Sequence, residues 1–449
     1  MKTPICNFVN EYNKSGKLRL HMPGHKGKDF LGIEGYDITE IDGADVLYNA
    51  NGIIRESEEN AAKLFGTAKT VYSAEGSSLS IRAMLYLATL YAKENGRKPI
   101  IAAGRNAHRV FMTAAALLDF EIVWIFPEKS GNIISCDISP DYLDAFLSEI
   151  TEKPVAVYIT SPDYLGNIAD IKGISEVCKK HGVLLLVDNA HGAYLRFLPE
   201  NMHPISLGAD ICCDSSHKTL PVLTGGAYLH ISDGAPDIMS AYAENAMSLF
   251  ASTSPSYIIM QSLDMANKYI ADGYLEKLEK TANAVNKLKN QLSEYGFELI
   301  GNEPMKLTLS PKNIGYTGEE IAGVLSENGI ECEFSDPDFT VMMFTPEIGN
   351  DEIELVGNIL LSIEKKEAIT ENPPVLSMPE KALSVRKAVF SASEEIDISE
   401  CEGRILSSAA ISCPPAIPIT VCGEIIDKSA IKCFKYYGIK KCRVVKKLP

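Results

Sequence analysis

Residues 214–220 read Asp-Ser-Ser-His-Lys-Thr-Leu. A short apolar run at residues 209–213 precedes this stretch, and a second apolar run at residues 227–231 follows it. The pattern predicts a polar turn that leaves a buried strand. On such a turn the amine of Lys218 can form a Schiff base with a carbonyl cofactor, and the hydroxyl of Ser215 can bind a phosphate. The alternative is an ordinary solvated loop lysine.

Composition narrows the class of protein. The chain has 449 residues, of which 46% are hydrophobic and 23% are charged, as in ordinary globular proteins of two to three domains. Its formal net charge of -16 argues against nucleic acid or an anionic membrane as the main partner.

Eleven cysteines are spread through the chain, and none forms a Cys-x-x-Cys pair. Free thiols scattered through apolar segments favour a reducing compartment over a disulfide framework. The N-terminus lacks the pattern of a signal peptide, and no apolar run approaches the roughly 18 residues needed to span a bilayer. We therefore expect a cytoplasmic protein without a membrane segment.

Apolar strands alternate with helices from residue 70 onward. The predicted strands are 70–74, 99–103, 122–126, 155–160 and 183–188. The predicted helices between them are 79–95, 109–118, 140–150 and 173–181. This alternation predicts an α/β fold with a mostly parallel sheet that is covered on both faces.

Polar residues follow several of these strands. They occupy residues 105–108, 161–164 and 188–192, and the turn at 214–219 is a fourth such segment. Ligands of parallel sheets bind beyond the carboxyl ends of the strands, so we expect these segments to converge.

A further turn, Glu75-Gly76-Ser77-Ser78, lies between a predicted strand and a predicted helix. A glycine and two serines at this position offer backbone N–H groups and hydroxyls to a phosphate. The alternative is that Ser77 or Ser78 caps the helix, which needs no ligand.

Together these residues provide the parts of a pyridoxal phosphate site. Lys218 would hold the aldehyde, Asp188 would pair with the pyridinium nitrogen, and His108 could stack on the ring. The phosphate would be held by Gly76, Ser77, Ser78, Ser215 and His217. The structural alternatives are helix capping or an ion pair for Asp188 and a core position for His108.

The rest of the chain is less informative. The loop His21-Met22-Pro23-Gly24-His25-Lys26-Gly27 contains two histidines, but without nearby acidic ligands the case for a metal is weak, and we predict none. We expect an N-terminal segment at 1–60, a cofactor-binding large domain at 61–272, a small domain at 273–365, a linker at 366–380 and a C-terminal domain at 381–449.

Six motifs resemble the ornithine/lysine/arginine decarboxylase family of fold-type I pyridoxal phosphate enzymes. They occur in the order of the family and cover residues 20 to about 425. They are His21 to Gly27, Arg105 to His108, Asp188 to Ala193, Ser215 to Leu220, Thr253 to Tyr257, and Pro414 to Pro418 with Gly423-Glu424. The chain resembles the short form, without the N-terminal domain of the larger members.

The resemblance implies an aspartate-aminotransferase-like large domain, a small α+β domain and a C-terminal α+β domain. It implies pyridoxal 5'-phosphate as cofactor, with Lys218, His108 and Asp188 as catalytic residues. His191 and Ser254 join the residues expected to bind the cofactor. It also implies a homodimer with active sites at the interface, where residues 253–257 reach the neighbour's cofactor.

The implied reaction is decarboxylation of arginine, lysine or ornithine to an amine and CO₂, in polyamine metabolism. Acidic candidates for the distal cation of the substrate are Glu424 and residues 37–45. Four positions depart from the family pattern, namely Asn189, Glu75, Gly225 and Ala416. They leave the choice of substrate open. Another pyridoxal phosphate reaction, or a cofactor-binding protein with lost turnover, are the alternatives.

Overall fold

The computed structural model of the chain describes residues 1–128, 132–409 and 417–447. The motif positions Pro414, Pro415 and Ala416 lie outside the described residues.

Short strands and longer helices alternate along the described chain. The strands are β1 Lys69–Ser73, β2 Ile100–Gly104, β3 Glu121–Ile125, β4 Ala156–Thr160, β5 Leu184–Asp188, β6 Ile211–Asp214, β7 Ala227–Ile231, β8 Glu298–Ile300, β9 Lys306–Ser310, β10 Phe334–Ser335, β11 Thr340–Met343, β12 Ser393–Asp397 and β13 Lys441–Val445. The helices are α1 Pro4–Lys14, α2 Ile53–Phe65, α3 Ser77–Glu94, α4 Arg109–Leu118, α5 Pro140–Glu149, α6 Ile171–His181, α7 Ser216–Thr219, α8 Asp237–Ser248, α9 Tyr257–Ala271, α10 Tyr274–Tyr295, α11 Gly318–Glu327, α12 Asn350–Leu361, α13 Val385–Val389 and α14 Lys428–Tyr436.

Strands β1 to β7 form one mostly parallel sheet, which confirms the predicted α/β class. The chain divides into two compact units, the first comprising residues 1–99, 155–157 and 171–278. In this unit the strand order is β1-β7-β6-β5. Strands β5 and β6 are parallel, whereas β7 runs antiparallel to both of its neighbours. The carboxyl ends of β1, β5 and β6 therefore lie at one edge.

Burial explains why these strands are short apolar runs. Every residue of β5, β6 and β7 is buried, as expected where helices cover both faces of a sheet. Helix α3 packs against β6 and β7. Helix α2 ends at Phe65, because Gly66 adopts a left-handed conformation with φ of 71°.

Helix α1 of the first unit is absent from the sequence prediction. Helix α1 packs against α2 and α9 through a small apolar face that includes Ile5 and Val9. The backbone N–H of Cys6 also donates to the Asp264 carboxylate at 3.0 Å.

The second unit comprises residues 100–154, 158–170 and 279–449. It contains the parallel pair β2 and β3, a four-stranded antiparallel sheet in the order β10-β11-β9-β8, and the antiparallel pair β12 and β13. A separate hydrophobic cluster, which includes Leu406, Phe434 and Val444, packs around the last pair. The domain boundaries expected from the sequence stay predictions.

Two further expectations concern the chemistry of the chain. Every cysteine in the described ranges is a free thiol. None of the helices in those ranges has the length and apolar character needed to cross a membrane.

Candidate active site

Lys218 lies on a single helical turn at the carboxyl end of β6. The strand ends at Asp214, and the N–H of Lys218 donates to the carbonyl of Ser215 at 2.9 Å to form the turn. The half-buried amine Nζ lies 3.0 Å from Nε2 of His191. An amine and an imidazole at this distance can share a proton, so the neutral amine that attacks a carbonyl is within reach.

His217 precedes the lysine, and its ring contacts the backbone. Its Nδ1 donates to the carbonyl of Gly226 at 3.0 Å, and its backbone N–H donates to the same oxygen at 3.2 Å. These bonds orient the imidazole and fasten the turn to the chain that enters β7. Binding of phosphate by His217 stays a prediction.

Asp188 ends β5, which lies directly beside β6. The register places Asp188 opposite Cys213, so its carboxylate is at the same sheet edge as the lysine turn. The side chain is 2% exposed, and Oδ1 accepts from the N–H of Ala190 at 3.3 Å and from the thiol of Cys213 at 3.6 Å. Burial, together with the charge of Asp188, raises the pKa of Cys213, so the thiol remains a protonated donor.

Gly76 and Ser77 form the start of the long helix α3. The N-cap is Gly76, with φ of 72°, and no side chain caps the helix. The alternative that Ser77 or Ser78 is the capping residue is therefore wrong, since both lie inside the first turn. An uncapped helix start offers N–H groups and a favourable dipole to an anion.

Ser215 connects this helix start to the lysine turn. Its hydroxyl donates to the hydroxyl of Ser77 at 2.6 Å. The strand registers are consistent with this contact. Ser73 at the end of β1 pairs with Ala227 of β7, and Asp214 at the end of β6 pairs with the next β7 residue, Tyr228. The first unit thus gathers an amine, a buried carboxylate and a serine-lined helix start at one edge, and this donor set fits a phosphorylated aldehyde whose ring nitrogen is basic.

The hydroxyl-rich loop that contains Ser254 lies beside the phosphate turn of its own chain. The N–H of Ser252 donates to the Glu75 carboxylate at 2.6 Å, and the N–H of Ser254 donates to the hydroxyl of Ser252 at 3.1 Å. Ser254 itself is exposed. Its contact with a cofactor, in its own or a neighbouring chain, stays a prediction.

His108 belongs to the second unit, where it caps helix α4. Its Nδ1 accepts from the N–H of Val110 at 3.2 Å. This capping bond fixes the ring at the end of the polar segment that follows β2. Stacking of His108 on a cofactor ring stays a prediction.

Arg105 and Glu424 form a buried ion pair in the second unit. The guanidinium donates to Glu424 Oε2 at 3.2 Å and to the carbonyls of Pro418 and Ile419. Burial raises the pKa of Glu424, although Arg105 opposes that shift. Since the carboxylate already binds a guanidinium, its expected role toward the cation of a substrate has no support in this geometry.

The N-terminal acidic and histidine residues also have separate partners. His25 Nε2 lies 3.2 Å from Asp37 Oδ2, whereas His21 Nε2 lies 2.6 Å from the hydroxyl of Tyr12. The carboxylate of Asp45 accepts backbone N–H groups at residues 46, 51, 52, 54 and 55, which lowers its pKa against the effect of burial. Asp45 therefore stabilises the start of α2.

Sequence reasoning missed one polar cluster in the first unit. His203, Asp214 and His230 are fully buried, and they place three potential metal-ligand atoms within 4.8 Å of one another. Nε2 of His203 lies at hydrogen-bond distance, 3.0 Å, from the Asp214 carboxylate, and Nε2 of His230 lies 3.3 Å from the same carboxylate in an ion-pair contact. The sequence signal for this cluster was the alternation of side chains along β7. It puts His230 on the same face of the sheet as Cys212, its partner in the register.

Comparison with protein families matches two models. The Orn/Lys/Arg decarboxylase major domain matches residues 3–303, and the Orn/Lys/Arg decarboxylase C-terminal domain matches residues 363–449. The "Arginine decarboxylase" of Bacillus subtilis (strain 168) is 30% identical, over 96% of this chain and 92% of its own length.

Two solved structures resemble the chain over 99% of its length. The E. coli constitutive lysine decarboxylase has a TM-score of 0.76 at 18% identity, with 82% of that chain covered. Lysine decarboxylase A from Pseudomonas aeruginosa has a TM-score of 0.79 at 16% identity, with 80% covered. At these identities the likeness is one of fold, and it confirms the fold type expected from the motifs.

Proposed function

The chain belongs to the Orn/Lys/Arg decarboxylase family, and from this we propose that it is a pyridoxal phosphate-dependent decarboxylase of a basic amino acid. The observation that carries the proposal is the arrangement of Lys218 beside His191, with Asp188 and the start of α3 at the same sheet edge. The substrate class follows from the family, since relatives named for arginine and lysine share it.

Each part of the edge has a chemical task. Pyridoxal phosphate, when bound, supplies a ring that accepts the electrons of the bond being broken. The amine of Lys218 would hold the cofactor through its aldehyde, and the Asp188 carboxylate would pair with its ring nitrogen. Ser77, Ser215 and the N–H groups of the first turn of α3 are the donors for the phosphate.

His191 would exchange protons with Lys218 during the reaction. Its Nε2 lies 3.0 Å from Lys218 Nζ, so it can take a proton from the amine and return it. Decarboxylation leaves a substrate carbon that needs a proton, and Lys218 or His191 would be its donor. Because orientation decides which bond breaks, rigid placement of these groups favours one reaction over another.

A product assay tests this function. The purified chain, supplied with pyridoxal phosphate, is offered arginine, lysine and ornithine separately, and CO₂, amines and keto acids are measured. We expect CO₂ and the matching amine from at least one of the three, without a keto acid. A keto acid or an elimination product would assign another reaction, and a cofactor-loaded protein inactive on all three would contradict the proposal.

We also propose that the chain works as a homodimer in the cytoplasm and supplies amines to polyamine metabolism. Leu18, Leu20, Phe30 and Leu31 are 78–83% exposed in the described chain, and such a concentration of apolar surface favours a protein partner. A second copy is the partner that the family implies. Sedimentation analysis should give twice the chain mass of 49.0 kDa, whereas a monomer at all concentrations would contradict the dimer.

A further inference from the structure

The buried cluster formed by His203, Asp214 and His230 lies directly before the lysine turn. Each of the three residues is 0% exposed. Nε2 of His203 lies 3.0 Å from Asp214 Oδ2, and Nε2 of His230 lies 3.3 Å from the same oxygen. The other ring nitrogen of His230 lies 2.8 Å from the hydroxyl of Thr70. Asp214 is thus a carboxylate inaccessible to solvent that faces two imidazoles.

The charge of Asp214 is maintained by these neighbours. Burial on its own would raise the pKa of the carboxyl, but the charges and hydrogen bonds of His203 and His230 lower that pKa well below its usual range. In the opposite sense, burial lowers the pKa of His230, and Asp214 opposes that shift. A buried carboxylate is costly unless it is partnered, so the two imidazoles keep Asp214 as a fixed hydrogen-bond acceptor.

The second oxygen of this acceptor holds Asn189. The amide Nδ2 of Asn189 donates to Asp214 Oδ1 at 2.7 Å, and both side chains are fully buried. The backbone N–H of Asn189 donates to the carbonyl of Cys213 at 3.0 Å. A Cβ added at Gly192 would clash with Oδ1 of Asn189, so the amide is packed tightly on its other side.

Asn189 begins a short turn, residues 189–192, and lies between two groups of the candidate site. Asp188 precedes it, and His191, which contacts Lys218, follows two residues later. The turn is stabilised by a bond from the N–H of Gly192 to the carbonyl of Asn189 at 2.8 Å. Rotation of Asn189 would therefore displace Asp188 and His191 together.

We propose that Asp214, which contacts His203, His230 and Asn189, is a positioning residue for the cofactor site, and that it acts through Asn189 on Asp188 and His191. This inference rests on the proposed function, because it concerns how the same site holds its cofactor. It requires a neutral donor at position 189, since a carboxylate there would lie within hydrogen-bond distance of another carboxylate.

A reciprocal exchange of the two side chains tests the proposal. The variants are Asp214→Asn, Asn189→Asp and the double variant with both changes, which restores one amide and one carboxylate across the same contact. Asp210→Asn is the matched control, because Asp210 lies before the opposite end of β6 and accepts the N–H of Leu185 at 2.7 Å. The dissociation constant of pyridoxal phosphate is measured by equilibrium dialysis, and the unfolding midpoint of the apo chain is measured in parallel.

We expect Asn189→Asp to weaken cofactor binding by about 10-fold or more, as for directly contacting residues that couple. The double variant should bind better than Asn189→Asp, and Asp210→Asn should bind as the wild type. Additive losses in the double variant would overturn the proposal. If Asn189→Asp does not fold, Asp214→Asn, which keeps the side-chain size, decides the matter, and wild-type affinity in that variant overturns the proposal.

Two further results separate this inference from its alternatives. A wild-type chain that binds no pyridoxal phosphate would contradict the proposed function itself, whereas binding that is insensitive to positions 189 and 214 contradicts the positioning role alone. Metal analysis of the purified holoenzyme should give no stoichiometric transition metal. One equivalent of metal that is lost on His203→Ala would replace the hydrogen-bonded cluster with a metal site.

Discussion

Lys218 in the first unit and Lys306 in the second are both withdrawn from water to some degree, but their neighbours differ. The half-buried amine of Lys218 contacts an imidazole nitrogen of His191 at 3.0 Å. The amine of Lys306 contacts the carboxylate of Glu303 at 3.0 Å, where both side chains are 1% exposed. A carboxylate stabilises the charged ammonium, whereas an imidazole can take a proton from it. Lys306 is therefore suited to a structural role and Lys218 to a chemical one.

The contrast between Lys218 and Lys306 is tested most strongly by removing the amine of Lys218. Lys218→Ala should abolish both the formation of amine product and the visible absorption of the lysine-bound cofactor, because the amine assigned to the aldehyde is lost. Lys63→Ala, which changes an exposed lysine of α2, is the control and should keep both. Retained turnover in Lys218→Ala would refute the role given to this residue.

Loss of the partner of Lys306 should lower the stability of the chain, in contrast to the loss of activity expected for Lys218→Ala. Glu303→Gln leaves the buried charge of Lys306 uncompensated, and removal of one partner of a buried pair costs about 3–5 kcal/mol of unfolding free energy. Lys289, whose amine donates to the Glu303 carbonyl at 2.6 Å and whose pKa is lowered to about 8 by burial, lies in the same cluster. Urea unfolding measures the loss, with the exposed Glu327→Gln as control. Unchanged stability would show that the pair is not structural.

A smaller effect is expected for the phosphate donors. Ser215→Ala removes one hydroxyl from the set, and a hydrogen bond to a charged group contributes about 1.5–3 kcal/mol, so cofactor affinity should fall about 10- to 100-fold. Ser80→Ala removes a buried hydroxyl one turn further along α3 and should leave the affinity unchanged. Equal affinities of both variants would remove Ser215 from the phosphate site.

A pH-dependent effect concerns a buried carboxyl, Glu58, whose pKa is raised from 4.5 to about 8, mainly by burial and further by Glu244. The unfolded chain releases this proton at lower pH than the folded chain. The folded state therefore binds more protons between pH 4.5 and about 8, and its stability decreases as the pH rises through that window.

Replacement of Glu58 should remove this dependence. Glu58→Gln keeps an acceptor for the N–H of Tyr72, now bound at 2.9 Å, and should be more stable than the wild type at pH 9 but not at pH 5. Unfolding at the two values measures the difference, and the exposed Glu56→Gln is the control. A constant difference across the range would show that folding does not raise the pKa of Glu58.

Much of the first unit follows from its sequence, because buried strands must be apolar and helix ends need special residues. Strand β7, Ala227–Ile231, coincides with the second apolar run of the sequence. In the second unit, helix α4, Arg109–Leu118, likewise has the predicted bounds. Helix α1 was missed because its apolar face is small and lies among asparagines. The antiparallel direction of β7 was not predicted either, since strands of both directions can be equally apolar when both faces are buried.

The side-chain partners were harder to predict than the elements. Asp188 and Lys218 could be placed at one edge, since both follow predicted strands. Glu424 was an open candidate for the substrate, but its actual partner, Arg105, lies 319 residues away in the chain. His203 comes from a loop without periodicity, so its contact with Asp214 depends on how the chain returns to the sheet.

The identity of the lysine that carries the cofactor is the most direct test of this account. The holoenzyme is reduced with borohydride, which fixes the pyridoxyl group to its amine, and the labelled peptide is identified by mass spectrometry. We predict a single label on Lys218. A label on another lysine, or a loaded protein with no label at residue 218, would contradict the assignment of the active site to the end of β6.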